Sequence, residues 1–439
     1  MIKLTYTFFL FLLITFIGSS QDINSKKLDE YLLNLESNNK FMGSIALLKD
    51  GEVIYTKQVG YSDIETRKKP DKNTKYRIGS ISKTFTATMV FKAIEDNKLS
   101  LNLTLDDFFP SIINANKITI NNLLNHRSGI HNFTNDESYL KYNTQYKSKN
   151  EMVDIITKAG SDFEPNTKVE YSNSNYVLLS YILETVYKKP YPELLAEIIV
   201  KPLNLKNTTY GNKINLDKNE CNSYHYLGEW TKQTETDLSI PLGAGGIIAT
   251  PSDLVLFSES LFNFKIISEV SVNKMKLTQD GYGMGLFPMP FYNKKSFGHT
   301  GGIDGFSSLF GYFSSEKCAF ALTSNGSNYQ NNNIAIAALS CLFNKPYDIP
   351  SFKTLKLTTE ELNKYLGVYS SDEFPLKITI SKSENILLAQ ATGQSEFSLD
   401  ASEKNIFKYD AAGIILEFNP VQNQMTLKQG GGKFILTKE

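Results

Sequence analysis

The run Phe85, Met89, Val90, Phe91 and Ala93 is apolar around most of a helix. Such a helix is buried in a large protein, not laid on its surface, so a sizeable core has to form around it. Just before it stand Gly79-Ser80-Ile81-Ser82-Lys83. With a helix beginning at Ser80, positions i and i+3 share a face, and Lys83 comes up beside the Ser80 hydroxyl. A serine hydroxyl is a poor nucleophile until a neighbouring base takes its proton, and burial lowers a lysine pKa towards that task. The helix start also offers unpaired N–H groups to a negative charge forming there. Alone, the pair is a weak signal that reads first as an N-cap serine and a solvated first-turn lysine. Partner motifs further along decide between these.

The chain has 439 residues, which favours two domains over one. Its 46 basic and 46 acidic residues balance, so nothing points to a nucleic-acid partner or an anionic membrane surface. Residues 1–20 read as a cleaved secretory signal: Lys3, the apolar run Phe8 to Ile17, then Gly18-Ser19-Ser20, with Gln21 near the mature N-terminus. That predicts an exported protein, periplasmic or secreted. No cysteine lies near the cleavage site, which argues against a lipoprotein, and no later stretch is apolar and long enough for a membrane span. Cys221, Cys318 and Cys341 form no metal-ligand pattern and read as buried free thiols.

Leu28, Tyr31, Leu32 and Leu35 predict an amphipathic first helix, and Gly43 to Leu48 with Val53 to Val59 predict a hairpin around Asp50-Gly51. In Asn125-His126-Arg127-Ser128-Gly129, His126 lacks a neighbouring carboxylate to orient it and reads as a structural histidine, as do His131 and His225. Residues 135–165 are expected to form a cap. The second constellation is Tyr171-Ser172-Asn173, ahead of a helix over Tyr176 to Tyr187. A tyrosine beside two cations has a lowered phenol pKa and can shuttle protons; Asn173 suits a substrate carbonyl and can hold Lys83. An ordinary polar loop is the other reading of this stretch. Gly243-Ala244-Gly245-Gly246 lacks the spacing of a nucleotide loop. The third constellation is His299-Thr300-Gly301-Gly302, on an expected edge strand where substrate backbone can lie close. There the Gly302 and Ser80 amides can form an oxyanion hole.

Ser80-x-x-Lys83, Tyr171-x-Asn173 and His299-Thr300-Gly301 follow in the order of one superfamily. Over residues 25–345 the chain resembles the penicillin-recognising serine hydrolases, nearest to class C β-lactamases, D-alanyl-D-alanine carboxypeptidases and related esterases. The resemblance implies an α+β fold: an antiparallel sheet flanked by helices, an all-helical region, and a site in the cleft between them. It also implies a nucleophilic Ser80, with Lys83 as its deprotonating or charge-stabilising partner. Tyr171 becomes general base and later acid, Asn173, His299, Thr300 and Gly301 contact substrate, and the amides of Ser80 and Gly302 form the oxyanion hole. His299 departs from the lysine that usually opens the third motif. A partly charged histidine weakens the case for carboxylate-bearing β-lactams.

Residues 346–357 read as a linker. After the capping box at Thr358 to Glu361, short strands over Leu376–Ile380, Ile386–Gln390, Ile406–Tyr409, Ile414–Phe418, Met425–Leu427 and Phe434–Leu436 predict a small antiparallel barrel over 358–439. It resembles the lipocalin-like domain appended to many members of this superfamily. The combined expectation is an exported serine hydrolase acting on amide or ester bonds, with D-amino acid peptides, peptidoglycan-derived ones among them, or β-lactam-like molecules as substrates. Its rivals are a carboxylesterase of small esters and a penicillin-binding sensor without turnover. No metal or cofactor is implied, and the oligomeric state is not legible.

Overall fold

The computed structural model describes residues 23–429 and 432–439; the expected signal segment, 1–20, lies outside them. Helix α1 (Ser25–Ser37) buries Leu28, Tyr31, Leu32 and Leu35, the four positions its periodicity selects. The hairpin forms as β1 (Phe41–Lys49) and β2 (Glu52–Val59), turning at Asp50-Gly51 with Gly51 at φ 85°. Five further elements complete the layer that carries the site: β3 (Phe287–Pro288), β4 (Phe297–Ile303), β5 (Phe306–Phe313), β6 (Cys318–Ser327) and helix α5 (Asn331–Leu342). The six strands make one sheet, in the order β2-β1-β6-β5-β4-β3. Helices α1 and α5 pack on one face, where Leu32 and Leu35 join Ile45, Leu322 and Ala338.

The opposite face meets the larger core. It contains helix α2 (Ser82–Glu95), buried nearly throughout, and helix α4 (Pro251–Phe262), whose Phe257 stacks on Phe85 with ring centroids 3.7 Å apart. Helix α3 (Asn173–Tyr187) and shorter helical segments form the all-helical region beside it. Hydroxyls on α2 find partners inside this core: Thr84 donates to the Gly285 carbonyl and Thr86 to that of Gly243. A buried helix tolerates them because each is satisfied.

Two expectations shift here. α2 does not begin at Ser80: a 3-10 turn over Gly79–Ile81 comes first and the α-helix starts at Ser82. β4 is not the sheet edge at its N-terminal end, because Phe287 and Pro288 pair with Gly298 and Phe297.

After an irregular stretch, Thr358 and Glu361 form the reciprocal capping box. Eight antiparallel strands then close into a barrel, from Gly367–Ser371 to Gly432–Lys438, around their own core. Two of them, Gly367–Ser371 and Phe397–Glu403, were not expected from the sequence pattern. The barrel meets the first region at buried Lys40, which pairs with Asp400 and Asp410. Cys221, Cys318 and Cys341 are buried free thiols.

Candidate active site

Ser80 sits in the turn ahead of α2, and Gly79 makes that turn possible. Its φ of 51° is strained for any residue with a Cβ, and a Cβ there would lie 2.7 Å from the Gly302 amide nitrogen. One helical turn on, Lys83 is 0% exposed. Its Nζ donates to Asn173 Oδ1 at 2.8 Å and to the Ala244 carbonyl at 2.8 Å, and lies within hydrogen-bond distance of Ser80 Oγ at 2.9 Å. The alternative of a solvated Lys83 is therefore out. None of these partners is a carboxylate, and burial drives the ammonium pKa well below the ordinary lysine value. Tyr171 OH donates to the same Ser80 Oγ at 2.8 Å, and its ring lies 4.8 Å from Lys83 Nζ.

Tyr171 is held by its loop. The Ser172 N–H donates to His126 Nδ1 at 3.2 Å, and the His126 ring lies against Tyr171 at 4.5 Å. His126 thus ties down a loop, as its sequence context suggests. The phenol pKa, expected to fall, moves the other way: burial pushes it up, and the Ser80 hydrogen bond opposes this only in part. The second cation needed to lower it is missing. His299 is 1% exposed, its Nδ1–H donates to the Thr300 carbonyl, and its ring packs on Phe287 at 4.4 Å. Burial, then the nearby Lys83, bring its pKa to about 3, so the imidazole is neutral at physiological pH. This corrects the expectation of a partly charged His299 offered to a substrate carboxylate: the ring lies behind the cleft wall, and Thr300 on the next residue faces solvent.

Gly301 and Gly302 are where the strand and the serine turn touch. A Cβ on Gly301 would stand 2.0 Å from the Ile78 carbonyl oxygen and 3.0 Å from the Ser80 amide nitrogen. Gly301→Ala is therefore expected to push Ser80 out of line, lowering kcat and costing about 1–3 kcal/mol of stability. Parallel rate and thermal-melt measurements check this; an unperturbed variant would mean the strand and turn separate freely. A Cβ on Gly302 would meet almost nothing, because that position opens on a cleft of about 420 Å³ lined by Ser80, Asn173, Gly245, Gly302 and Asp304.

Several groups in this site carried no usable sequence signal. Ala244 contributes only its backbone carbonyl. Asn132 Oδ1 accepts the Asn173 N–H, and Thr134 Oγ1 accepts from the Asn173 side chain. Arg77, two residues before Gly79, is buried under the cleft wall. It donates to Asp304 at 2.9 Å, to Glu235 at 3.0 Å and to the carbonyls of Thr236 and Asn212. Asp304 in turn accepts from the Thr236 N–H and hydroxyl. A lone arginine between Tyr76 and Ile78, in an otherwise apolar approach to Ser80, was the only hint.

A serine oxygen shared by a lysine amine and a tyrosine hydroxyl can carry out nucleophilic acyl transfer. Known proteins place the chain accordingly. Residues 39–340 match the Beta-lactamase family model. The chain is 27% identical to the teichoic acid D-alanine hydrolase of Staphylococcus aureus (strain MRSA252) over 340 residues, 75% of this chain and 81% of that protein. D-amino acid amidase from Ochrobactrum anthropi SV3, in complex with L-phenylalanine amide, superposes with a TM-score of 0.64 at 25% identity, covering 72% of this chain and 99% of that one. The octameric penicillin-binding protein homologue from Pyrococcus abyssi shares the fold over 94% of this chain and all of its own, with a TM-score of 0.66 at 22% identity. With Ser80, Lys83 and Tyr171 assembled inside the matched region, the chain belongs to the beta-lactamase family and is a serine hydrolase.

Proposed function

We propose that the protein removes D-amino acyl groups from esters or amides through an acyl-enzyme on Ser80. The observation that carries this is the shared contact: Ser80 Oγ lies within 2.9 Å of Lys83 Nζ and 2.8 Å of Tyr171 OH, at the edge of an open cleft. The D-alanine hydrolase and D-amino acid amidase relatives support this acyl group. Among the described residues the cleft offers no unpaired cation to the carboxylate of a β-lactam, since its one charged lining side chain is Asp304, already paired with Arg77.

Burial favours a neutral amine on Lys83 and a neutral phenol on Tyr171. Lys83 then takes the Ser80 proton as Oγ bonds to the substrate carbonyl carbon, and the amides of Ser80 and Gly302 hold the oxyanion. As the carbonyl re-forms and the bond to the leaving oxygen or nitrogen breaks, Tyr171 supplies that atom's proton. The resulting phenolate takes a proton from water, which attacks the acyl carbonyl, and Ser80 leaves with the proton held on Lys83. Tyr171 thus acts first as acid and then as base, the reverse of the order expected from the resemblance, because no second cation holds it ionised. Export by the N-terminal signal and a boundary within 346–357 complete the reading.

The test is intact mass after rapid quenching with a D-alanyl ester. A gain of one alanyl group, mapped to Ser80 and missing from Ser80→Ala, is expected. An adduct elsewhere, or turnover by Ser80→Ala, sinks the proposal.

A further inference from the structure

The 3-10 turn Phe133–Asn135 and the residues just before it are stitched to the start of α3, where Asn173 stands. The Ser174 hydroxyl donates to the His131 carbonyl at 2.6 Å and accepts the Phe133 N–H at 3.3 Å. Beside this seam, Asn132 Oδ1 accepts the Asn173 backbone N–H at 3.0 Å and the Thr134 hydroxyl at 3.1 Å. Thr134 Oγ1 in turn accepts from Asn173 Nδ2 at 3.1 Å. These three bonds close a ring, and each can be made in one direction only. A backbone N–H only donates, so Asn132 turns its oxygen to Asn173 and its Nδ2 the other way, to Asn135 Oδ1 at 3.0 Å. Thr134 has a single hydroxyl proton, and the Asn132 oxygen takes it. Towards Asn173, Thr134 is then an acceptor only, so Asn173 gives it Nδ2 and turns Oδ1 to Lys83.

Resting on the acyl-enzyme reading above, we propose that Thr134 and Asn132 are positioning residues that aim the Lys83 lone pair at Ser80. A neutral amine has two protons and one lone pair. Asn173 Oδ1 and the Ala244 carbonyl can only accept, so they take both protons. The lone pair is left for Ser80 Oγ at 2.9 Å. Ser80 accepts from Tyr171, which leaves its own proton free to turn to that lone pair. As Oγ bonds to the substrate carbonyl carbon, this proton passes to Nζ and the amine becomes an ammonium. With the Asn173 amide flipped, Nδ2 would occupy the lone pair and Ser80 would face a spent base. The other titratable groups about Lys83 are Tyr171 and Tyr176, whose rings lie 4.8 and 5.7 Å from Nζ, and the buried His126 and His299. Burial raises both phenols and lowers both imidazoles, so all four stay neutral near pH 7 and the acid limb of the rate belongs to Lys83.

The experiment compares wild type, Thr134→Val and Thr134→Ser on the methyl ester of D-alanine across pH, with thermal melts alongside. The ester's own amine titrates alike for all three, so differences belong to the protein. Valine keeps the side-chain shape at this half-buried position and frees the amide to flip. It is expected to lower the plateau kcat about tenfold, with KM changing less. The acid limb is expected to move to lower pH, because an amide N–H on the lone pair favours the neutral amine. Serine keeps the hydroxyl and is expected to restore both. A folded Thr134→Val enzyme with the wild-type kcat and acid limb overturns the role. So does a loss that Thr134→Ser shares with the limb unmoved, which marks packing alone. No turnover by the wild type, or turnover that survives Ser80→Ala, sinks the acyl-enzyme reading instead, and this role with it.

Discussion

Lys83→Met is expected to lower kcat about a thousandfold, within the range that removal of a general base costs, while leaving the fold in place. The amine is the one group in contact with Ser80 Oγ that burial pushes towards its proton-accepting form. The pH dependence carries the same signature. On the acid side the wild-type rate rises with pH as the Lys83 ammonium gives up its proton, at a pH below the ordinary lysine value; in the variant that limb disappears. Stability follows from the same shift. Because folded Lys83 holds its proton less tightly than the unfolded chain does, the unfolded state binds more protons between the two pKa values. Stability therefore rises with pH across that window, and at neutral pH the buried amine costs stability. Methionine removes this cost but strands the Ala244 carbonyl and Asn173 Oδ1, which lost partners penalise. The two effects oppose, and Tm is expected to stay within about 3 °C of the wild type. A variant that keeps the wild-type rate, or its acid limb, would place the base elsewhere.

What the sequence discloses of this site is what lies close together in it. Ser80 and Lys83 are three residues apart, so helix geometry alone puts one beside the other. The three constellations follow in a recognisable order. The hairpin and α1 carry plain periodicities that their burial reproduces. What stays hidden is set by contacts across long separations. Arg77 and Asp304 meet over 227 residues, and Lys83 and the Ala244 carbonyl over 161. His299 reads as a titratable recognition residue until Phe287, on a two-residue strand with no pattern of its own, is seen to cover it. In the barrel, Phe397, Leu399 and Ala401 pack on the core at alternate positions, yet Asp400 and Glu403 lower the strand propensity of the stretch. The segment Gly367–Ser371 follows a capping box so closely that its strand is hard to separate from the helical turn before it.

Arg77→Met is expected to cost about 3–5 kcal/mol, the usual consequence of removing one partner from a buried charge cluster. Asp304, its side chain 4% exposed, would keep only the Thr236 donors, and Glu235 only the Ile214 N–H. Asp304 would be left buried without a counter-charge, and Glu235, whose side chain is 24% exposed, would lose its ion pair. Thermal unfolding is expected to fall by roughly 10 °C, and KM to rise more than kcat falls, since Arg77 fastens the Thr236 and Asn212 carbonyls of the cleft wall and touches none of the reacting atoms. An unchanged Tm would mean that the cluster behaves as a solvated surface pair. Arg77→Lys separates charge from geometry. A lysine keeps the positive charge but presents a single ammonium where the guanidinium reaches two carboxylates and two carbonyls at fixed angles. It is expected to recover less than half of the lost stability; fuller recovery would show that charge alone holds this wall against Ser80. Neutralising both acids as well, in Arg77→Met/Glu235→Gln/Asp304→Asn, removes the stranded charges and is expected to regain more stability than lysine does while leaving KM high. Stability would then follow the charge balance of the cluster and substrate binding its geometry.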